Sequence, residues 1–323
     1  MTAANRISYS IALALLAVYF PWGGTYLAMK FAVETFPPFL LAGIRFVIAG
    51  SLLYLWEVFK GTRAPSITHW RNAAIAGGLM LLGGNSLVAW AEQTVSSGIA
   101  ALIVGTVPLW MTAMAWLWQK ETKPSKRILL GLLLGFSGQI LLVSHSLQEA
   151  SYSAAQAWGC LILTAAAFFW AAGSLYSRQA WLPQSAIMSI ALQNLMGGAL
   201  CLLVGVVTGE LGQFDLQQVS ARSLWSLTYL IFIGSIVGFS AYIWVLRKAT
   251  PAIVSTYAYV NPVVAVFLGW LLADEQLTLQ TVLAAIIILL SVVLITRTPA
   301  PRKTVQTVIC NQQQFSGLDG EGI

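Results

Sequence analysis

Ten apolar stretches, each about 20 residues long, punctuate the chain at roughly 8–29, 37–58, 72–91, 97–118, 128–145, 156–178, 184–208, 224–247, 251–272 and 278–296. A bilayer core about 30 Å thick takes roughly 20 helical residues to cross. A helix satisfies its own backbone in lipid, whereas an open strand leaves amides unpaired, and the alternating pattern of an outer-membrane barrel is missing. The sequence therefore predicts an all-α membrane protein with ten transmembrane helices. Composition agrees, since only 9% of the 323 residues are charged, against roughly 25% in soluble domains. The net charge of +6 is spread in short strips between apolar runs, not gathered on one surface. That pattern argues against a nucleic-acid partner and leaves the lipid bilayer and a small-molecule substrate.

The basic strips also orient the chain, because Lys and Arg favour the cytoplasmic side. With the N-terminus inside, that side collects Arg6, Lys60, Arg63, Arg71, Lys120, Lys123, Lys126, Arg127, Arg178, Arg247, Lys248, Arg297, Arg302 and Lys303. The other side keeps Lys30 and Arg222 beside Glu34, Glu92, Glu149, Glu210, Asp215, Asp274 and Glu275. Both termini are expected in the cytoplasm. The first apolar run continues into Pro21-Trp22-Gly23-Gly24 with no small-residue cleavage site, so it is read as a retained helix. Cys160, Cys201 and Cys310 form no CxxC or paired framework, and the first two fall inside spans as core fillers.

Shifted by about 150 residues, the chain resembles itself. Trp22-Gly-Gly-Thr-Tyr26 answers Trp170-Ala-Ala-Gly-Ser174, and Arg45 and Gly50 fall opposite Gln193 and Gly198. The segment 101–108 matches 255–262, and 118–121 matches 272–275. Five spans per half is an odd number, so the halves must insert in opposite orientations, as in the inverted repeats of secondary transporters. The expected domains are a first repeat over 8–145, a second over 156–296, and a disordered cytoplasmic tail over 297–323.

Four segments, 19–26, 38–46, 97–108 and 258–266, together resemble the EamA family of the drug/metabolite transporter (DMT) superfamily, in particular its YedA-like inner-membrane exporters. The resemblance covers about 8–296 as two EamA repeats. It implies ten helices around a central cavity lined by helices 1, 3, 4, 6, 8 and 9, and export of small metabolites, often amino acids, or of toxic compounds.

Several residues are candidates for the transport path. Trp22, Thr25, Tyr26 and Met29 share one helical face, a stripe suited either to a cavity wall or to interfacial anchoring. Asn85 lies deep enough in its span to need a polar partner, and Glu92 shares its face nearer the surface. Trp170, Ser174, Ser240 and Tyr242 are candidates by helix membership. In helix 9, Ser255, Tyr259 and Pro262 occupy one face and Tyr257 and Asn261 another, so only one set can fully face a cavity. Pro108 and Pro262 sit mid-span at equivalent repeat positions, where each would free a carbonyl, of Val104 and Ala258, and act as a hinge or a fixed kink. Arg45 is an intramembrane charge, which costs roughly 2.5–3.5 kcal/mol at the centre of a helix and so must face protein or water. A structural tether, to carbonyls or to Glu57, is favoured over a substrate contact, because the implied cavity excludes helix 2. Gly131-xxx-Gly135 and Gly234-xxx-Gly238 suit close helix packing within one chain, with a monomer expected and a homodimer as the alternative.

No deeply placed Asp or Glu suits a proton relay, and no phosphate loop, metal-ligand spacing or nucleophile-and-base pair is present. His69 and His145 both fall near membrane edges. No cofactor, metal or catalytic activity is expected. The reading is an exporter of small metabolites, amino acids or related amphipathic solutes, by alternating access or gated facilitation. A multidrug exporter is the alternative, and an integral-membrane enzyme or a structural scaffold is the reading from other classes.

Overall fold

The computed structural model describes residues 9–95, 97–148, 154–273 and 278–298. Among these, nine helices are long and apolar enough to cross a membrane. They are α1 (Tyr9–Ala32), α2 (Pro38–Phe59), α3 (Ile67–Ala91), α4 (Ile99–Leu117), α6 (Ala154–Gln179), α7 (Ala186–Val207), α8 (Ala221–Lys248), α9 (Pro251–Leu268) and α10 (Leu279–Thr296). A further helix of 23 residues, α5 (Lys126–Gln148), packs along α10. The segment 299–323, which holds most of the expected tail, lies outside the described residues, as do Asp274 and Glu275.

Four of these helices are irregular, two of them, α3 and α8, where the sequence suggested plain helix. α3 widens to a π-helix over Gly78–Ser86 and α8 does the same over Leu230–Gly238, at matching places in the two halves. α4 breaks after Val104 and resumes at Val107, and α9 breaks after Val254 and resumes at Tyr257. Pro108 is thus no mid-helix kink. It stands in the first turn of a new segment, where its missing N–H would have had no helical partner. Pro262 does lie inside a helix, and the Ala258 carbonyl four residues earlier accepts the Gln139 Nε2–H from α5 at 3.1 Å. The two prolines therefore stand differently relative to their breaks. At each break a threonine hydroxyl bonds the carbonyl three residues back, Thr106 to Ile103 at 2.6 Å and Thr256 to Ile253 at 2.7 Å.

Packing between spans rests on small residues, since lipid tails supply little drive for apolar helices to associate. α2 and α7 lie antiparallel, with Gly43 against Leu202, Gly50 against Leu195 and Gly198 against Val47. A Cβ on Gly50 would fall 2.7 Å from the Leu195 nitrogen, so only glycine permits this approach. α5 and α10 are also antiparallel, with Gly131 against Ile295, Gly135 beside Ser291 and Gly138 against Ile288. Gly131 and Gly135 thus serve packing within the chain. At the two ends of the α2–α7 pair, an acid from the segment after α7 and one from α2 each serve the start of the other helix. Glu210 accepts the N–H groups of Phe39 and Leu40 at 3.3 and 2.9 Å, and Glu57 accepts the hydroxyl of Ser185, the N-cap of α7.

Candidate functional site

Helices 1, 3, 4, 6, 8 and 9 surround a narrow cavity of about 90 Å³, room for several waters or one small solute. α1 contributes Trp22, Thr25 and Met29; α3 contributes Asn85 and Val88; α6 contributes Trp170; α9 contributes Tyr257 and Asn261. Val104 and Val107 flank the break in α4, and Gly234 lies within the π-helix of α8. A π-helix and a broken helix both leave backbone oriented for uses other than its own ladder. One such group is the Gly234 carbonyl, which accepts Trp22 Nε1–H at 3.0 Å.

The cavity lies towards one end of the bundle. Met29 stands three residues from the end of α1 and Val88 three from the end of α3, both on the face carrying Glu34 and Glu92. Towards the basic face the bundle is closed. Leu15, Val18, Met111, Met114, Leu175, Val245 and Leu246 are buried in one core cluster there, drawn from α1, α4, α6 and α8. Tyr19 and Thr256 hydrogen-bond across it at 2.5 Å. Beyond this plug, Glu121 in the segment after α4 pairs with Arg178 of α6 at 2.6 Å, and Gln119 donates to the Leu175 carbonyl at 2.9 Å.

Three aromatic rings, of Trp22, Trp170 and Tyr257, make the floor of the cavity, with the ring of Tyr242 packed beneath them. Trp22 meets Trp170, Tyr242 and Tyr257 at centroid distances of 5.6, 5.1 and 5.0 Å, two of them edge to face. Tyr242 is fully buried beneath this layer, and its hydroxyl lies 2.6 Å from Ser174 Oγ. Ser174 and Tyr242 thus support the floor from below and do not line the cavity. Ser240 is half-buried on α8 and is not part of the wall.

On α9 the choice of face is clear in the geometry. Tyr257 and Asn261 point into the cavity, whereas Tyr259 points the other way, its hydroxyl donating to the Leu132 carbonyl of α5 at 3.0 Å. Tyr259 packs with Leu132, Ile288 and Ile295 among α5, α9 and α10. Its neighbour on that face, Ser255, is fully buried and bonds the Ala252 carbonyl at 3.2 Å. The side chains of Tyr26 and His145 lie outside the described residues.

Arg45 departs most from expectation. Glu57 is engaged by Thr62 and Ser185, at the far end of α2, and does not reach it. Arg45 instead lines the cavity together with Phe46, so α2 joins the six helices that the family resemblance implied. Its Nε donates to Ser235 Oγ at 2.7 Å, its guanidinium carbon lies 4.8 Å from the centre of the Phe46 ring, and it is 5% exposed. Among the described residues no carboxylate pairs with it. Its repeat counterpart Gln193 has a purely local role, between Ser177 at 3.0 Å and Ser189 at 3.1 Å.

Three structural features had weak sequence signals. Ser235 sits in an apolar run with nothing to mark it as the partner of Arg45. Gln139, buried in α5, reaches both the carbonyl freed by Pro262 and the surface of Gly105 at the α4 break. A lone amide in the middle of an apolar span was its available signal. Glu210 was legible as an acid on a loop, but its role as a cap on α2 needed the fold. No group of His, Cys, Asp and Glu suited to a metal ion occurs among the described residues.

The model of the EamA-like transporter family matches residues 9–144 and again 157–297. The uncharacterized inner membrane transporter YedA of Escherichia coli K12 is 36% identical over 285 residues, covering 88% of this chain and 89% of that protein. The uncharacterized transporter YoaV of Bacillus subtilis 168 is 28% identical over 295 residues, covering 91% of this chain and 99% of YoaV. A solved crystal structure shares the fold with a TM-score of 0.72 at 19% identity, covering 89% of this chain and 97% of its own. Two matched repeats, together spanning most of the chain, place the protein in the EamA-like transporter family of membrane transporters.

Proposed function

We propose that the protein exports small metabolites, amino acids or related amphipathic solutes, across the inner membrane by alternating access or gated facilitation. The observation that carries this reading is the cavity itself, narrow, aromatic and polar, and backed by a packed plug towards the basic face. Trp22, Trp170 and Tyr257 would hold the apolar part of a solute, and Thr25, Asn85 and Asn261 its polar part. The antiparallel pairing of α2 with α7 and of α5 with α10 supports two inverted repeats, over 8–145 and 156–296. Rocking of such halves about a mid-membrane site would open the basic face as the acidic face closes. The breaks beside Pro108 and before Pro262 are the hinge candidates. The charge pattern supports cytoplasmic termini, and the similarity to YedA supports the inner membrane. The multidrug reading is favoured by the aromatic floor, but the small volume of the cavity weighs against bulky drugs.

Efflux from proteoliposomes preloaded with labelled amino acids or with cationic drugs, with and without a proton gradient, tests the proposal. Saturable, competable amino-acid efflux is the expected result. Movement of drugs alone would transfer the reading to multidrug export, and movement of neither by folded protein would overturn both.

A further inference from the structure

We infer that Arg45, held in place by Ser235, is the carboxylate-binding group of the cavity, and that the solute is a neutral amino acid with an apolar side chain. This rests on the reading of the cavity as the transport site. A guanidinium in a membrane interior needs compensation from a carboxylate, from carbonyls or from water. Arg45 has one hydrogen bond, from Nε to Ser235 Oγ at 2.7 Å, and no carboxylate among the described residues. That bond leaves the two terminal nitrogens for a ligand, and their planar fork matches the two oxygens of a carboxylate. Nη2 lies against Gly234, where a Cβ would come within 3.0 Å of it, so the glycine keeps room for the group.

The other polar groups of the cavity complement the rest of a zwitterion. The side-chain oxygens of Asn85 and Asn261 are buried and have no hydrogen-bond partner among the described residues. A buried acceptor left empty costs about 1–3 kcal/mol, so a donor in the solute is the natural occupant. An ammonium supplies such donors, and the aromatic rings of Trp22, Trp170 and Tyr257 supply apolar walls. A phosphate dianion fits less well, with one arginine to meet two charges.

Calorimetric titration of the purified full-length protein with L-leucine, L-leucinamide and 4-methylpentanoate tests this directly. Leucinamide lacks the carboxylate, and 4-methylpentanoate lacks the ammonium. Leucine is expected to bind at least tenfold more tightly than leucinamide, and more tightly than 4-methylpentanoate. In Arg45→Gln the preference for leucine over leucinamide should vanish, and Arg45→Lys should retain part of it. Equal binding of leucine and leucinamide by the wild type, or an undiminished preference in Arg45→Gln, would overturn the inference. If Arg45→Gln does not elute as a monodisperse species, Ser235→Ala takes its place, because it keeps the charge and removes its tether. A severalfold loss of preference is then expected, and an unchanged preference overturns the inference. Export is read separately by leucine efflux from proteoliposomes. Intact discrimination in binding without efflux would refute the export reading and leave the carboxylate site standing.

Discussion

Glu210, on the loop that follows α7, accepts the backbone N–H of Leu40 at 2.9 Å in the first turn of α2. The same carboxylate also takes the N–H of Phe39; Pro37 and Pro38 carry no N–H, so both amides left unpartnered at the start of α2 are satisfied from the opposite repeat. At the other end of this helix pair, Glu57 near the end of α2 accepts the hydroxyl of Ser185 at the start of α7. The reciprocity ties the two halves together at both ends of the helix pair without placing an acid among the residues that line the cavity.

Glu210→Ala should therefore destabilise the folded protein by about 1–2 kcal/mol, the range for loss of a helix cap. Thermal unfolding in detergent, followed by size exclusion, measures this. Glu34→Ala, whose contact to Arg222 is an exposed pair at 3.5 Å, should change stability much less and is the control.

Gln139 couples the irregular helices α4 and α9. A Cβ on Gly105 would fall 1.5 Å from Gln139 Oε1, so Gly105→Ala must displace the amide that satisfies the Ala258 carbonyl. A loss of about 1–3 kcal/mol is expected for Gly105→Ala, and a similar loss for Gln139→Ala. The double variant should be markedly less unstable than the sum of the two. Strict additivity in unfolding experiments would show that the two residues do not act together.

The Glu121–Arg178 pair is partly exposed, with side chains 24% and 36% accessible for the arginine and the glutamate. Such pairs contribute about 0–1 kcal/mol, so Arg178→Ala should hardly move the melting temperature. Its effect should appear in the opening of the basic face instead. Ser174→Cys, buried below the aromatic floor, should react with a membrane-impermeant maleimide up to about fivefold faster when combined with Arg178→Ala. Equal labelling rates would remove the pair from the gate.

Glu92, just beyond the end of α3, has its carboxyl pushed up to about 7 by burial, which disfavours the charged form. The folded protein therefore holds this proton more tightly than the unfolded chain does. Its contribution to stability is fully present below the ordinary carboxylate range and is lost as pH rises towards 7, with little further change above. Melting temperatures measured from pH 4 to 8 should show this decline in the wild type and a flatter profile in Glu92→Gln. Parallel profiles would assign the pH dependence to other groups.

Much of this molecule was legible in residue order. Twenty-residue apolar runs can only be helices in lipid, and the end of each run is marked by charge, so the spans emerge from local chemistry. The self-similarity around Trp22 and Trp170 pointed to two related halves, and both tryptophans meet at the cavity floor. Helical spacing narrowed α9 to two faces, but only neighbouring helices decide which one points inward. Tyr257 and Asn261 turn towards the cavity because α5 and α10 claim Tyr259. The π-helices of α3 and α8 have no local signature of the kind that proline or glycine gives a turn. Arg45 shows the limit most plainly. Its presence in an apolar span required a compensating partner, and local pattern suggested an acid at the end of its own helix. Its hydrogen-bond partner is Ser235, 190 residues away, and its outward face meets the cavity. A partner so distant in sequence is set by which helices lie side by side, and that is decided only when the two halves pack.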